Sequence, residues 1–250
     1  MSRSFVQAAL APVILLILWE AASHSGLVDP RFLPPLEQVW IAGRAEWASG
    51  DLAAAIRASL ARDILGFIVG STIGTVLGVV IGLSKTTQRL LGPMLVVHRQ
   101  IALFAWIPLL SAWFGGGEVG KIAFIAMAAF QPTVVNSWRG VANIPQQYRE
   151  LSMALAFRGL DFLTLIALPG SLAEIFAGLR AALIYAWMAT IGAELLLDVA
   201  PGLGGRMDEG QHLFEMNLLV FYLIVLAIVG GLFTLATGRL ETRLARWRAA

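Results

Sequence analysis

Residues 150–169 read ELSMALAFRGLDFLTLIALP, and this stretch decides how the rest of the 250-residue chain is interpreted. It lies between two apolar segments that are each long enough to approach a membrane span. Leu151, Leu155 and Phe162 recur at four- and seven-residue steps, which is the spacing of one helix face, and Pro169 closes the stretch. We therefore predict an amphipathic helix at a membrane surface, with an apolar face for a partner protein or for lipid.

The composition is that of an integral membrane protein. Hydrophobic residues make up 58% of the chain and charged residues only 14%, whereas soluble domains carry about 25% charged residues. The net charge of +2 is too small to indicate a nucleic-acid-binding face. The chain has no cysteine, which excludes disulfides, thiolate zinc sites and cysteine nucleophiles.

Six segments come close to the roughly 20 residues that a helix needs to cross about 30 Å of hydrocarbon. They are residues 5–22, 64–83, 94–114, 121–138, 172–197 and 218–237. The first segment resembles a signal peptide, but a retained anchor is favoured because the rest of the chain is membrane-embedded. The prediction is an all-α membrane protein with six transmembrane helices.

Arginine and lysine counts predict the orientation of these helices. With the N-terminus in the cytoplasm, ten of the eighteen basic residues fall inside, five fall outside and three lie in or beside spans. Both termini and residues 150–169 are then cytoplasmic. In the tail, residues 239–250, Leu240, Leu244 and Trp247 share one helix face opposite arginines, which predicts an anchor at the lipid surface.

Five glycines follow one another at a spacing of four in the second predicted span: Gly66, Gly70, Gly74, Gly78 and Gly82. Missing side chains allow another backbone to approach closely, which is how membrane helices associate. Packing within the chain and packing against a second subunit both remain open.

Charged and polar residues within the spans are the candidates for a solute path. Arg99, Arg180 and Glu194 each cost about 2.5 to 3.5 kcal/mol at membrane depth, so each should face protein or water. Structural pairing and lining of a path, together with Gln131 and Asn136, both remain open. An anionic solute would favour the arginines.

No catalytic site is expected on this chain. Residues 115–121, GGGEVGK, match the first seven positions of a phosphate-binding loop, but Ile122 stands where the Mg²⁺-binding hydroxyl belongs. The three histidines are scattered, and no nucleophile stands beside a base. We therefore expect no enzyme activity, no metal and no cofactor on the chain itself.

Residues 150–169 resemble the cytoplasmic loop of ABC importer permeases. That motif reads Glu-Ala-Ala, three residues, Gly, nine residues, Ile, one residue, Leu-Pro. Glu150, Ile166, Leu168 and Pro169 match it, and Ala156 stands at the glycine position. The resemblance implies a helix that docks on an ATPase, with ATPase coupling assigned within residues 148–169 to Glu150, Ala156, Arg158, Gly159, Ile166, Leu168 and Pro169.

Much of residues 30–248 resembles the branch of these permeases that serves nitrate, sulfonates and taurine. Resembling segments in chain order are 32–39, 59–67, 107–122, 136–140, 178–194 and 202–204. The resemblance implies one permease domain over 1–250 with its core bundle at 59–238, in the architecture of the methionine and molybdate permeases, which are type I importers. It places the chain in the bacterial inner membrane.

The implied machine has two permease copies, two cytoplasmic ABC ATPases that bind ATP and Mg²⁺, and an extracytoplasmic solute-binding protein. It would pass a small anion, such as a sulfonate, taurine or nitrate, inward by alternating access.

Two alternatives remain open. A secondary transporter would be expected to show an internal repeat and a midplane carboxylate, for which only Glu194 qualifies. A membrane scaffold would need no cytoplasmic docking helix.

Overall fold

A computed structural model of the protein describes residues 2–26, 28–29, 31–157, 159–197 and 201–244. Every regular element in these ranges is helical. A 3₁₀ turn at Leu103–Trp106 precedes α5, and a π turn at Leu163–Ala167 joins α8 to α9. The helices are α1 Ser2–His24, α2 Leu36–Ser49, α3 Asp51–Leu83, α4 Lys85–Gln100, α5 Ile107–Phe114, α6 Glu118–Ala142, α7 Gln146–Ala154, α8 Leu160–Phe162, α9 Leu168–Leu196, α10 Leu203–His212 and α11 Met216–Leu244.

Four helical stretches of the described chain are long and apolar enough to cross a membrane: Asp51–Leu83, Glu118–Ala142, Leu160–Leu196 and Met216–Gly238. A fifth span results if α4 and Leu103–Phe114, which are bent by 100°, count as one. In α1 the apolar stretch Val13–His24 is shorter than a span. The predicted all-α membrane fold is confirmed, but the predicted number of six spans is not reproduced.

The prediction of one continuous helix over residues 94–114 was wrong. The helix α4 starts earlier, at Lys85, because the Ser84 hydroxyl caps it by accepting a hydrogen bond from the Thr87 N–H at 3.2 Å. The chain is then extended at Ile101 and restarts as α5 with Pro108 in its first turn. Proline has no N–H to donate, which costs nothing in the first turn of a helix, so Pro108 favours a new helix start here.

The chain divides into two compact units. The N-terminal unit comprises Met1–Ala58 and Val199–Ile228, and the core unit comprises Ser59–Asp198 and Val229–Ala250. The single permease domain with a core bundle at 59–238 stays a prediction.

In the N-terminal unit, α2 is fixed by buried polar contacts. Arg206 on α10 and the Tyr222 hydroxyl on α11 both donate to the Glu46 carboxylate on α2. Burial opposes the charge of Arg206, but the hydrogen bonds and the negative charge of Glu46 outweigh it and raise the pKa of the Arg206 guanidinium above its usual value. A Cβ on Gly43 would collide with the Phe221 ring, so α2 and α11 approach closely there.

In the core unit, α6 packs closely against both α3 and α9. A Cβ on Gly140 would lie 2.8 Å from Glu174 Cβ, and one on Gly178 would lie 2.8 Å from Asn136 Cβ, so both glycines are needed where α6 meets α9. The core between these helices is built largely from small residues, which allow the backbones to approach. Its fully buried members include Ala129, Ala182, Ala186 and Ala193.

The structure places all five glycines of the predicted stripe against α6, within the core unit. A Cβ on Gly66 would lie 2.5 Å from Ile125 Cγ2, one on Gly78 2.5 Å from the Val134 carbonyl oxygen, and one on Gly82 2.6 Å from Val141 Cβ. Added Cβ atoms on Gly70 and Gly74 would collide with Ala126 and Thr133. The stripe therefore serves packing within the chain.

Candidate functional site

Residues 146–169, here called the coupling segment, do not form the single helix that the sequence predicted. The helix α7 ends at Ala154, and a left-handed turn follows, with a φ of 54° at Ala156 and 50° at Gly159. The Phe157 N–H donates to the Ser152 carbonyl at 2.9 Å and the Ala156 N–H to the Met153 carbonyl at 3.1 Å. These two bonds form a Schellman motif, whose left-handed position favours glycine and is occupied here by Ala156.

The proline of the motif does not close the coupling segment either. Pro169 lies in the first turn of α9, directly after the π turn at Leu163–Ala167. Proline offers no N–H to the Leu165 carbonyl, so the regular α-helical hydrogen bond between these residues is missing. The wider π turn at Leu163–Ala167 accommodates its loss. The segment thus passes into the membrane-spanning helix as one helical stretch, Leu160–Leu196.

Most side chains of α7 are exposed, apolar and polar alike. Its buried residue is the polar Ser152, and Arg149 is half-buried. Its apolar side chains point outward, with Leu151 51% and Met153 70% exposed. A helix that shows its apolar side to the surroundings needs a partner surface.

Two sets of contacts attach the coupling segment to the core unit. Arg149 Nη2 donates to the last carbonyls of α6, at 3.0 Å to Val141 and 3.4 Å to Ala142. The Arg149 guanidinium also lies 5.9 Å from the centre of the Phe162 ring. A cation at a helix C-terminus is favoured by the helix dipole and by the unpaired carbonyls, so Arg149 ties α7 to α6.

The second set of contacts is apolar. Ile166 and Leu168, two of the motif residues, pack with Phe162 on a cluster of buried side chains. That cluster draws on α3, α6 and α9 through Val79, Val141, Ile144, Ala167 and Ile175. The coupling segment is therefore in apolar contact with three helices of the core unit.

Of the remaining coupling residues, Glu150 is exposed on α7 and accepts a hydrogen bond from Gln146 Nε2 at 2.9 Å. Gly159 is exposed in the left-handed turn. Arg158 lies outside the described residues, so its predicted role stays a prediction.

Three of the five predicted path residues come together. Arg99, Gln131 and Asn136 line one cavity of about 260 Å³, together with Arg139 and Tyr185. A second cavity of about 320 Å³ shares Arg99 and Arg139 with the first and continues along α6. Arg180 is half-buried and lines neither cavity.

Glu194, the remaining predicted path residue, belongs to a buried charge cluster. Arg62 Nη1 donates to Glu194 at 2.6 Å, and two other guanidinium nitrogens of Arg62 bond Glu118 at 2.7 Å each. The Ser59 hydroxyl lies 2.8 and 2.9 Å from the two Glu194 oxygens. Close by in sequence, the fully buried Asp63 accepts a hydrogen bond from Thr190 at 3.2 Å. In this arrangement Arg62 on α3 joins Glu194 on α9 to Glu118 on α6.

Comparison with known proteins identifies the family of this chain. The profile of the family described as "Binding-protein-dependent transport system inner membrane component" matches residues 70–249. The chain belongs to this family. It is a permease subunit of an ABC transporter, as the resemblance of residues 150–169 implied.

Individual relatives can be aligned with this permease over most of their length. SsuC of Escherichia coli (strain K12), which carries the name of an aliphatic sulfonates transport permease, is 34% identical over 239 residues, covering 96% of this chain and 90% of its own. The taurine transport system permease protein TauC of the same organism is 30% identical, covering 94% and 86%. The nitrate import permease protein NrtB of Synechocystis sp. is 30% identical, covering 92% and 85%.

A solved structure confirms the fold of the permease. A chain of the MetNI methionine ABC transporter in an inward-facing conformation matches with a TM-score of 0.68 at 18% identity, covering 78% of this chain and 97% of that chain. At this identity the likeness establishes the fold alone, which is the predicted type I importer architecture.

Sequence reasoning missed several residues of the permease that carry the geometry. Arg149 contributes to the predicted orientation only as a cytoplasmic positive charge, although its distance of seven residues from the end of α6 is compatible with a capping role. Arg62 falls outside the second predicted span, residues 64–83, whereas α3 begins at Asp51. Arg139 and Tyr185 gave no signal, because their meeting with Arg99 joins three separate helices, α4, α6 and α9.

Proposed function

We propose that this permease pairs with a second copy of itself and carries a small anion inward, driven by two cytoplasmic ABC ATPases. One observation carries the proposal: the apolar side chains at the end of α7 are exposed while Arg149 bonds this helix to α6. The exposed side chains of Leu151, Met153 and Leu155 fit a groove on a soluble partner. Glu150, exposed beside this face, would make a polar contact to the same partner.

In this mechanism the coupling segment is a lever. When the ATPases bind ATP and Mg²⁺ and close, α7 moves with them. Arg149 passes the movement to α6, and Ile166 and Leu168 pass it to the cluster shared by α3, α6 and α9. The paired bundles then open outward to accept solute from an extracytoplasmic binding protein, and hydrolysis returns them inward.

This mechanism requires the coupling segment and both termini to be cytoplasmic. The excess of arginine and lysine in the loops on that side supports this orientation. ATP and Mg²⁺ then belong to the partner ATPases, and the permease itself performs no chemical reaction.

The proposed solute is a small anion with an oxyanion group. Relatives are named for aliphatic sulfonates, taurine and nitrate, and each of these carries a compact group of negatively charged oxygens. A cavity bearing Arg99 and Arg139 suits such a group, because guanidinium groups bind oxyanions by paired hydrogen bonds.

Reconstitution in proteoliposomes with a partner ATPase and a solute-binding protein tests the proposal. ATP hydrolysis should rise when the binding protein is loaded, and uptake of taurine, nitrate or methanesulfonate should depend on ATP. Glu150→Ala should weaken ATPase co-purification. Ala156→Leu should uncouple hydrolysis from uptake, because a bulky side chain strains the left-handed turn.

Glu37→Ala is the matched control, since Glu37 is an exposed carboxylate at the start of α2. It should leave ATPase co-purification and hydrolysis unchanged. Uptake at the wild-type rate in Glu150→Ala and Ala156→Leu, or uptake driven by an ion gradient with no ATPase present, would refute the proposal.

A further inference from the structure

Two adjoining cavities of the core unit, of about 260 and 320 Å³, meet at the side chains of Arg99 and Arg139. The smaller one lies on the α9 side of this arginine pair and includes Tyr185. The larger one includes Gln88 on α4 and Asn143 just beyond the end of α6. Each volume is near the lower end of the range for ligand pockets, about 300 to 1,000 Å³, which suits a small solute.

The polar groups around the smaller cavity can all donate hydrogen bonds. They are the guanidinium groups of Arg99 and Arg139, the amides of Gln131 and Asn136, and the hydroxyl of Tyr185. The Asn136 side-chain amide donates one hydrogen bond to the Pro132 carbonyl at 2.7 Å, and its second N–H is available to a ligand. Among the described residues that line either cavity, none is an aspartate or a glutamate. Such a set of donors is selective for an anion.

The side chains of the two arginines are unpaired, in contrast to that of Arg62. Arg62 is saturated by Glu118 and Glu194. Within the part of the chain that the structure describes, the side chains of Arg99 and Arg139 have no hydrogen-bond or ion-pair partner. A cationic group near the hydrocarbon is costly unless water or a ligand compensates it, so an unpaired pair indicates a place for an anion.

The two cavities also extend far enough to serve as part of a path. From Gln131 to Asn143 they follow α6 over twelve residues, or about 18 Å at 1.5 Å per residue. This is more than half of the hydrocarbon thickness of about 30 Å. Arg139 lies about two-thirds of the way along this stretch, towards Asn143.

We propose that Arg99 and Arg139, with Gln131, Asn136 and Tyr185, form an oxyanion-binding station within the permease. An anion leaving the extracytoplasmic side is held there by the two guanidinium groups before it passes along the second cavity towards the end of α6. This inference rests on the proposed function and names the binding groups that recognise its solute. Arg180 and Glu194 are not part of the station.

Ligand-induced thermal stabilisation tests the station without turnover. The permease–ATPase complex is placed in nanodiscs of phosphatidylcholine alone, and its melting temperature is followed against methanesulfonate and nitrate at constant ionic strength with chloride. Wild type should show saturable stabilisation. Arg99→Gln and Arg139→Gln should each raise the apparent Kd about tenfold or more, as expected for losing a hydrogen bond to a charged group.

Arg89→Gln is the matched control, because Arg89 is an exposed arginine of the same helix as Arg99 and lines neither cavity. It should keep the wild-type Kd. Arg99→Lys and Arg139→Lys should recover part of the affinity, since lysine keeps the charge but loses the paired hydrogen bonds. A Kd that is unchanged in both glutamine variants overturns the station.

A lipid phosphate offers the same chemistry as a soluble oxyanion, so a second arm uses nanodiscs that contain phosphatidylglycerol. Stabilisation by phosphatidylglycerol through Arg99 and Arg139, with no response to soluble anions in phosphatidylcholine, would assign the pair to a headgroup and overturn the station. Soluble anions that bind in both lipids support it.

ATP hydrolysis separates failure of the station from failure of the proposed function. If wild type lacks stimulation by a loaded binding protein, the proposed function fails whatever the titration gives. If stimulation is intact and Arg99→Gln binds anions like wild type, only the station fails.

Discussion

At Ala156 the backbone adopts the left-handed conformation, with a φ of 54°, at the position where the family motif has glycine. A side chain in this conformation costs roughly 1 to 2 kcal/mol, since Cβ crowds the following carbonyl. The two hydrogen bonds of the Schellman motif hold the turn in place despite this cost. Alanine in place of the motif glycine therefore destabilises the turn after α7.

Ala156→Gly should strengthen the end of α7 by about 1 kcal/mol, because glycine adopts this conformation without crowding. Hydrogen exchange of the α7 amides should slow about fivefold, which is the ratio that corresponds to this energy. Ala154→Gly is the matched control within the helix and should speed exchange instead. Faster exchange in Ala156→Gly would show that the turn is not left-handed in the membrane.

Glu194 carries a charge whose role is structural in this account. Its side chain is fully buried and bonded to Arg62 and Ser59. Removing one partner of a buried pair leaves the other charge uncompensated, which typically costs 3–5 kcal/mol.

Glu194→Ala should lower the free energy of unfolding of the purified permease by about 3–5 kcal/mol, measured by denaturant titration in detergent. Glu150→Ala removes an exposed carboxylate and should change that energy by less than about 0.5 kcal/mol, while impairing coupling. A Glu194→Ala variant of wild-type stability that fails to transport would instead place Glu194 on the solute path.

At the scale of the element, α3 is defined by its contact with α6. A Cβ on Gly70 would collide with the Ala126 backbone, with its carbonyl carbon at 2.7 Å, and a backbone cannot give way as a flexible side chain does. Gly70→Ala should therefore cost about 1–3 kcal/mol of unfolding free energy although it adds only one methyl group.

Gly231→Ala provides the comparison for this effect, because nothing lies within 4 Å of an added Cβ there and the residue is also in a membrane-spanning helix. The free energy of unfolding of the Gly231→Ala variant should be unchanged or slightly raised. Equal effects of the two substitutions would contradict the packing of α3 on α6.

Sequence and structure agree where a single helix decides the pattern. Apolar length was sufficient to find α3, α6, α9 and α11, and glycine spacing was sufficient to find the face of α3 that packs. They disagree where the chain changes direction. The bend before Pro108 and the turn at Ala156 depend on local backbone conformation, which periodicity does not reveal. The pairing of Arg62 with Glu194 joins residues 132 positions apart, and no local pattern carries that information.

The helix α7 can act as a lever only if it is fixed to α6, and Arg149 supplies that link. Arg149→Ala removes the hydrogen bonds to the Val141 and Ala142 carbonyls. The ATPase should still co-purify, because the exposed apolar face of α7 is intact. Stimulation of hydrolysis by the loaded binding protein should fall severalfold, and Arg149→Lys should restore part of it. Full stimulation in Arg149→Ala would mean that the link through Ile166 and Leu168 is sufficient.

At the scale of the whole molecule, the account depends on which side of the membrane α7 faces and on what covers it. The chain has no cysteine, so a single introduced cysteine reports its position without background. Met153 is suitable, because its side chain is 70% exposed on α7 and belongs to the proposed ATPase-binding face. Leu213, 59% exposed between α10 and α11, serves as the reference for the opposite side.

Labelling of Met153→Cys with a membrane-impermeant maleimide is the most direct test. In intact cells Leu213→Cys should react and Met153→Cys should not. In inverted membrane vesicles Met153→Cys should react when the ATPase has been stripped off and be protected when the ATPase is added back. Reaction of Met153→Cys in intact cells, or equal reaction with and without the ATPase, would contradict the account.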